Sequence, residues 1–154
     1  MRRALLFALA LFSTSVFAGE LKPFSASYTA DWKQLPISGS AERSLKTRDD
    51  GTWQLSFNAS MLVASLNEES TFRMDEAAIK PLSYTFERSG LGKGKKIEQT
   101  FNWEAKQITG SDRGDPIKLP LNAGLLDKST YQIALQNDVA EGKKTMSYQV
   151  IDGD

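Results

Sequence analysis

The sequence contains neither cysteine nor histidine. The lack of cysteine excludes disulfides, thiolate nucleophiles and thiolate metal ligands. The lack of histidine removes the commonest general base near neutral pH and the usual zinc and copper ligands. Carboxylates, lysine, tyrosine and serine remain for chemistry, and their spacing predicts no catalytic residue, metal site or cofactor. We therefore expect a protein that is not an enzyme.

The sequence also lacks an excess of charge of either sign, because it has 19 basic and 19 acidic residues. Removing the first eighteen residues takes away Arg2 and Arg3 and leaves a net charge of −2. Such a chain has no overall basic field to attract nucleic acid or an anionic membrane. Any electrostatic partner must be met by a local group of charges.

Residues 1–18 are organised like a cleavable export signal. Arg2 and Arg3 give a basic start, residues 4–12 form an unbroken apolar run, and Val16-Phe17-Ala18 presents small residues where a signal peptidase cuts. A run of about nine residues is too short for a bilayer core that needs roughly twenty. We expect a periplasmic protein of a Gram-negative cell, cut after Ala18 and not membrane-spanning.

The other 136 residues, 19–154, suit one β-rich domain. Short segments of alternating apolar and polar residues between turn residues predict antiparallel strands with one buried face. The stretch 61–66 is more densely apolar and could continue a strand, bulge, or form one helical turn, with strand favoured. Alternation over Lys144–Ile151 predicts a last strand.

One helix is expected after Asp127, which can cap its first turn. Tyr131, Ala134 and Leu135 recur at helical spacing and would form the stripe that faces the sheet, with an end near Asn137. The sequence thus predicts a mainly β fold, a strongly curved antiparallel sheet or open barrel with one packed α-helix.

Glycines and lysines alternate through residues 90–96, a composition that can hold phosphate. A phosphate-binding P-loop needs serine or threonine after its Gly-Lys, whereas Lys96 follows Gly94-Lys95. A solvated hairpin loop is the favoured interpretation. The alternative is a local anion contact, with a lipid headgroup for example, made by Lys93, Lys95 and Lys96.

Aromatic side chains at alternating positions are more often core than ligand platform. A curved sheet that one helix cannot cover completely nevertheless leaves a hollow that suits an apolar ligand. The candidates for lining it are Trp53, Phe57, Tyr84, Phe86, Phe101 and Trp103.

Four short motifs carry a resemblance to a known family: Ala26-Ser27-Tyr28, Gly39-Ser40-Ala41, Leu82-Ser83-Tyr84, and Leu126-Asp127 with Ser129, Tyr131 and Gln132. In these the chain resembles an exported bacterial family catalogued as a domain of unknown function, number 3108. Members usually continue with further strands beyond the position of Ile151. The resemblance therefore implies a C-terminally truncated chain, with an unpaired edge along Lys144–Ile151 that could form an edge-strand dimer.

Three functions fit these observations. The leading one is a non-catalytic binding or carrier protein for an apolar or amphiphilic envelope molecule, with a lipid as its partner. The architecture is similar to that of periplasmic lipoprotein carriers, whose curved sheets hold acyl chains. The second is a structural or protein-interaction module of envelope assembly. The third is a carboxylate hydrolase, although Glu68 and Glu69 would point to opposite faces of a strand.

We predict that the protein recovered from the periplasm begins at Gly19, because the signal peptidase should cut after Ala18. The intact mass of the purified protein measures this directly. Recovery of a chain that begins at Met1 from the membrane fraction would contradict the assignment.

Overall fold

A computed structural model describes residues 21–32, 37–90 and 92–152, so the expected signal peptide and its cleavage point lie outside the described residues. Eight strands form one sheet in which each pairs antiparallel with its neighbours in sequence. They are β1 Phe24–Trp32, β2 Ile37–Thr47, β3 Trp53–Met61, β4 Ala64–Asp75, β5 Ala78–Gly90, β6 Lys95–Asn102, β7 Gln107–Asp112 and β8 Asp115–Pro120.

A helix, α1 Thr130–Ala140, and a two-residue parallel pair, β9 Leu125–Leu126 and β10 Gln149–Val150, complete the described fold. The prediction of a mainly β fold with an antiparallel sheet and one helix is confirmed. The sheet is open, with β1 and β8 at its two edges.

Alternation along the strands gives the sheet a polar outer face and a largely apolar inner face. Serine pairs run across the outer face, with hydroxyl oxygens 2.9 Å apart between Ser44 and Ser56 and 2.6 Å apart between Ser65 and Ser89. The inner face carries Leu45, Leu55 and the other core side chains. Only this face needs a cover, which α1 and the segments around β9 and β10 provide together.

Two clusters of buried side chains lie on the inner face. Beneath α1, Ile133 packs with Leu126 and with the strand residues Leu45, Leu55, Phe72 and Ile79. Beside it, Ile151 packs with Tyr84, Ile97, Phe101, Ile108 and Leu121. Each large apolar side chain buried in this way contributes roughly 1.5–3 kcal/mol to folding.

The helix differs from the sequence prediction in its buried stripe and its length. Thr130 and Ile133 are its buried residues, whereas Leu135 is 38% exposed. The predicted stripe was therefore wrong in Leu135, because the helix is rotated so that Ile133 points to the sheet. It also runs past Asn137 and stops before Gly142, whose φ of 75° suits glycine.

Two strand predictions also need correction. The apolar stretch 61–66 is not a continuous strand but a tight hairpin, in which β3 ends at Met61 and β4 begins at Ala64. The alternation over 144–151 corresponds to a strand only at Gln149–Val150. Its pairing with β9 is parallel, through Gln149 with Leu125 and Val150 with Leu126, rather than part of a hairpin.

The helix is tied to the sheet by the carboxylate of Asp127, which is fully buried. Its Oδ2 accepts a hydrogen bond from the Ser70 hydroxyl of β4 at 2.5 Å. Its Oδ1 accepts from the backbone N–H groups of Ser129 at 2.8 Å and Thr130 at 2.7 Å. One side chain thus satisfies the start of α1 and fixes its position on the sheet.

Replacing Asp127 by alanine should lower the free energy of unfolding by about 2–3 kcal/mol, because three buried donors lose their acceptor. Asp127→Asn should cost less than half of this, since its amide oxygen can still accept the two backbone bonds and the Ser70 hydroxyl can turn to accept from its NH₂. Urea denaturation measures both. Equal losses in the two variants would contradict this description of the hydrogen bonds.

Burial raises the pKa of Asp127, and the hydrogen bonds from Ser70, Thr130 and Ser129 oppose that rise. With a folded pKa above the ordinary value of 3.8, the folded state holds the proton more tightly than the unfolded state. The stabilisation of the folded state by the bound proton is therefore fully present below pH 3.8. It is lost as the pH rises through the pKa that Asp127 has in the folded protein. The stability of the native protein relative to Asp127→Asn should therefore fall with rising pH over that range.

Candidate functional site

A cleft of about 1130 Å³ opens at one end of the sheet, between the β4–β5 turn, the β6–β7 turn, the segment before β9 and helix α1. We call this the tryptophan cleft. The apolar residues that line it are Leu21, Trp53, Met74, Ala77, Ala78, Ile79, Trp103, Leu121, Ala123, Leu126 and Ala134. It is large enough for a drug-sized or larger ligand, since such sites commonly enclose roughly 300–1,000 Å³.

The two indoles of the cleft are held differently. Trp103 donates a hydrogen bond from Nε1 to the carbonyl oxygen of Pro81 at 2.7 Å. The ammonium group of Lys80 lies 5.7 Å from the centroid of the same ring and is paired with Asp75. Trp53 packs instead against the core cluster beneath the helix. Trp103 is therefore fixed in orientation, with a cation on its face.

The rim of the cleft is charged. Lys143 pairs with Asp138 and with Glu141, whose carboxylate oxygen is 3.2 Å away. Lys106 also lies on the rim and makes no ion pair within the part of the chain that the structure describes. An apolar floor with a charged rim matches an amphiphilic molecule.

The predicted lining residues do not lie together. Trp53 and Trp103 line the cleft. Tyr84 and Phe101 are buried in the second cluster, against which Phe86 packs, and Phe57 lies half-buried near Arg43. Sequence reasoning missed the aliphatic part of the lining, such as Met74 and Ile79. These two residues lie on either side of the β4–β5 turn, and no motif in the sequence marked them as lining a site.

A row of polar side chains crosses the inner face where the helix cover ends. Strand register aligns Arg43, Glu68 and Asp112 in this row, with aromatic and aliphatic residues between them. Arg43 donates a hydrogen bond to the side chain of Gln132 on α1. Glu68 accepts one from the Tyr84 hydroxyl at 2.7 Å. Burial, and secondarily this bond, raises the pKa of Tyr84 and keeps it protonated.

The three lysines singled out in the sequence lie at the opposite end of the sheet from the cleft. Lys95 is 3.9 Å from a carboxylate oxygen of Asp112, and Lys96 is 2.9 Å from one of Glu98. Lys93 is exposed on the connection between β5 and β6. Lys93 and Lys96 are exposed, whereas Lys95 is half-buried, and Lys95 and Lys96 belong to β6 rather than to the loop. As neighbours on a strand, Lys95 and Lys96 point to opposite faces of the sheet.

Beside these lysines, the turn of the β3–β4 hairpin carries exposed apolar side chains. Met61 is 46% exposed, Leu62 83% and Val63 55%. The hairpin is packed tightly against the end of β5, because a Cβ added to Gly90 would lie only 1.9 Å from the Val63 carbonyl oxygen. Sequence reasoning missed this turn, since residues 61–64 include none of the usual turn formers.

Among the described residues, no group of three or more acidic side chains lies where it could hold a metal ion. Nor does the described part of the chain contain a helix long and apolar enough to cross a bilayer.

The fold and cleft define a mainly β protein in which a meandering antiparallel sheet is partly covered by one helix. The sequence matches the family described as "Protein of unknown function (DUF3108)" over residues 27–154, and the chain belongs to that family. No curated protein and no solved structure matches the chain. The resemblance noted in the sequence is thereby confirmed.

Trp103→Phe should lower the free energy of unfolding by about 1–2 kcal/mol, because the buried carbonyl of Pro81 loses its donor. The matched control is Trp53→Phe, since the Trp53 indole makes no hydrogen bond within the described residues. Urea denaturation compares the two. Equal losses would show that the bond to Pro81 contributes nothing measurable.

Proposed function

We propose that this protein is an exported, periplasmic and non-catalytic carrier for an apolar or amphiphilic envelope molecule, which it binds in the tryptophan cleft. The observation that carries the proposal is the cleft itself, a space of about 1130 Å³ with an apolar floor at the open side of the core. An empty cleft of this volume would destabilise the folded protein, because it leaves large apolar side chains in contact with water.

The floor supports an apolar ligand body. Met74, Ile79 and Leu126 come from β4, β5 and β9, and the two indoles close the sides. An acyl chain or other apolar group placed here would remove apolar surface from water. This burial stabilises the complex by roughly 25 cal/mol for each Å² of apolar surface. The three aliphatic and thioether side chains of the floor offer none of the hydrogen bonds that a sugar or a peptide would need.

The rim supports a polar or charged head. Lys106 stands on the β6–β7 turn with its charge available, and Lys80 lies over the Trp103 ring. Because carboxylates also lie on the rim, a head that combines an anionic group with hydroxyl or amine groups would find partners of both signs. An amphiphile with its head at the rim therefore fits better than a purely apolar molecule.

The ion pairs that Lys143 makes with two of the cleft carboxylates, Asp138 and Glu141, favour binding over hydrolysis. The hydrogen bond from Lys143, followed by that from Tyr148, lowers the pKa of Asp138. A carboxyl with a lowered pKa is ionised near neutral pH and cannot serve as a general acid. Asp138 and Glu141 are both occupied by Lys143, so they act as parts of the rim.

The proposal is tested with the protein purified from cells under gentle conditions. Native mass spectrometry followed by organic extraction should show a bound lipid or other amphiphile, and the emptied protein should bind a fluorescent fatty acid. Ala134→Phe, which projects a ring into the cleft, should weaken fatty-acid binding by about tenfold or more, because the ring takes the ligand's place.

The control for this variant is Gln136→Phe, which lies on the exposed side of the same helix. It should bind as tightly as the native protein. Purified protein that carries no ligand and binds no fatty acid or phospholipid would overturn the carrier proposal and leave a protein-interaction module as the better account. Unchanged binding by Ala134→Phe would show that the ligand lies elsewhere.

A further inference from the structure

The end of the sheet farthest from the cleft carries an apolar hairpin tip, formed by Met61, Leu62 and Val63. Three consecutive apolar side chains with exposures of 46%, 83% and 55% are unusual on a protein surface. The inner face behind the tip is also uncovered and forms a shallow hollow of about 290 Å³, floored by small side chains such as Ala41 and Ala59. Nothing in the described fold packs on the tip.

Cations lie on one side of this tip, on the neighbouring β5–β6 hairpin. Ala64 at the tip pairs with Gly90, and Leu66 pairs with Arg88, which in turn pairs with Lys95. Acidic groups are present too, because Lys95 lies near Asp112, which Arg113 also approaches, and Lys96 pairs with Glu98. Glu87 and Asp115 lie on the same hairpins. Of the cations at this end, Arg88 and Lys93 make no ion pair with a carboxylate among the described residues, although Arg88 donates a hydrogen bond to the carbonyl oxygen of Lys93 at 3.5 Å.

We infer that this end of the molecule docks on the surface of an anionic lipid bilayer. The tip is a two-residue turn between β3 and β4, so Leu62 and Val63 can enter the boundary between headgroups and acyl chains without unfolding any strand. Arg88 and Lys93 then lie at the level of the phosphates, where their charges attract anionic lipid. This is one local group of charges in a chain that lacks an overall basic field.

A second copy of the chain fits the tip less well. A stable protein–protein interface buries roughly 800 Å² on each partner, far more than three side chains can provide. An interfacial lipid contact needs only a few apolar side chains and neighbouring cations, and it is reversible. The inference does not rest on the cleft, which lies at the other end of β4. The 12 residues of that strand span roughly 40 Å at about 3.3 Å per residue.

Sedimentation with vesicles tests the inference. The purified protein should bind vesicles of phosphatidylcholine with one-third phosphatidylglycerol, more weakly in high salt, and bind poorly to phosphatidylcholine alone. Leu62→Ser combined with Val63→Ser should reduce binding by about tenfold or more, because both side chains lose their apolar transfer into lipid. Arg88→Gln combined with Lys93→Gln should reduce it by about tenfold or more at low salt and little at high salt.

Matched controls lie elsewhere on the molecule. Leu135→Ser with Val139→Ser removes the same two residue types from the exposed side of α1, where Val139 is 59% exposed. Lys46→Gln with Lys118→Gln removes the same amount of charge from exposed positions of β2 and β8. Both controls should bind vesicles like the native protein, and thermal melts should show that all four variants are folded.

The inference is overturned if the native protein does not sediment with anionic vesicles, or if the tip variant binds as well as the helix control. It is also overturned if the native protein is a dimer that the tip variant alone converts to a monomer. The cleft variant Ala134→Phe should bind vesicles normally, so failure of the bilayer contact and failure of the carrier function are distinguishable.

Discussion

The buried carboxylate of Asp127 decides where the helix lies on the sheet. It accepts hydrogen bonds from the Ser70 hydroxyl in the middle of β4 and from the backbone N–H groups of Ser129 and Thr130 at the start of α1. These bonds prevent α1 from sliding along the strands. Because a buried carboxylate without these donors would cost several kcal/mol, the contact allows essentially one position. The extent of the covered inner face follows from that position.

That position leaves both ends of the inner face open, but in different ways. Toward the β4–β5 turn, the tryptophan cleft remains between α1 and the end of the sheet. Toward the β3–β4 turn, the cover ends at the polar row of Arg43 and Glu68, and the small side chains beyond it floor a shallow hollow that the helix does not cover. A ligand site and an apolar hairpin tip thus arise from one constraint.

Alternation with period two was enough to predict the sheet, because only one of its faces is buried. The same reasoning failed at residues 61–66, where an apolar turn offers no glycine, proline or asparagine to mark the reversal. It failed for Leu135 because helix rotation depends on the contact between Asp127 and Ser70, which are 57 residues apart. The cleft could be predicted only as two aromatic positions, since its other walls come from segments that meet after folding.

The most direct test of this division of the inner face is a two-dimensional NMR titration of ¹⁵N-labelled protein with monomeric lauric acid. The account predicts saturable shifts of the indole N–H signals of Trp53 and Trp103, with the backbone amides of Leu62 and Val63 unchanged. Shifts confined to Leu62 and Val63, or indole signals that stay fixed while the fatty acid binds, would contradict it.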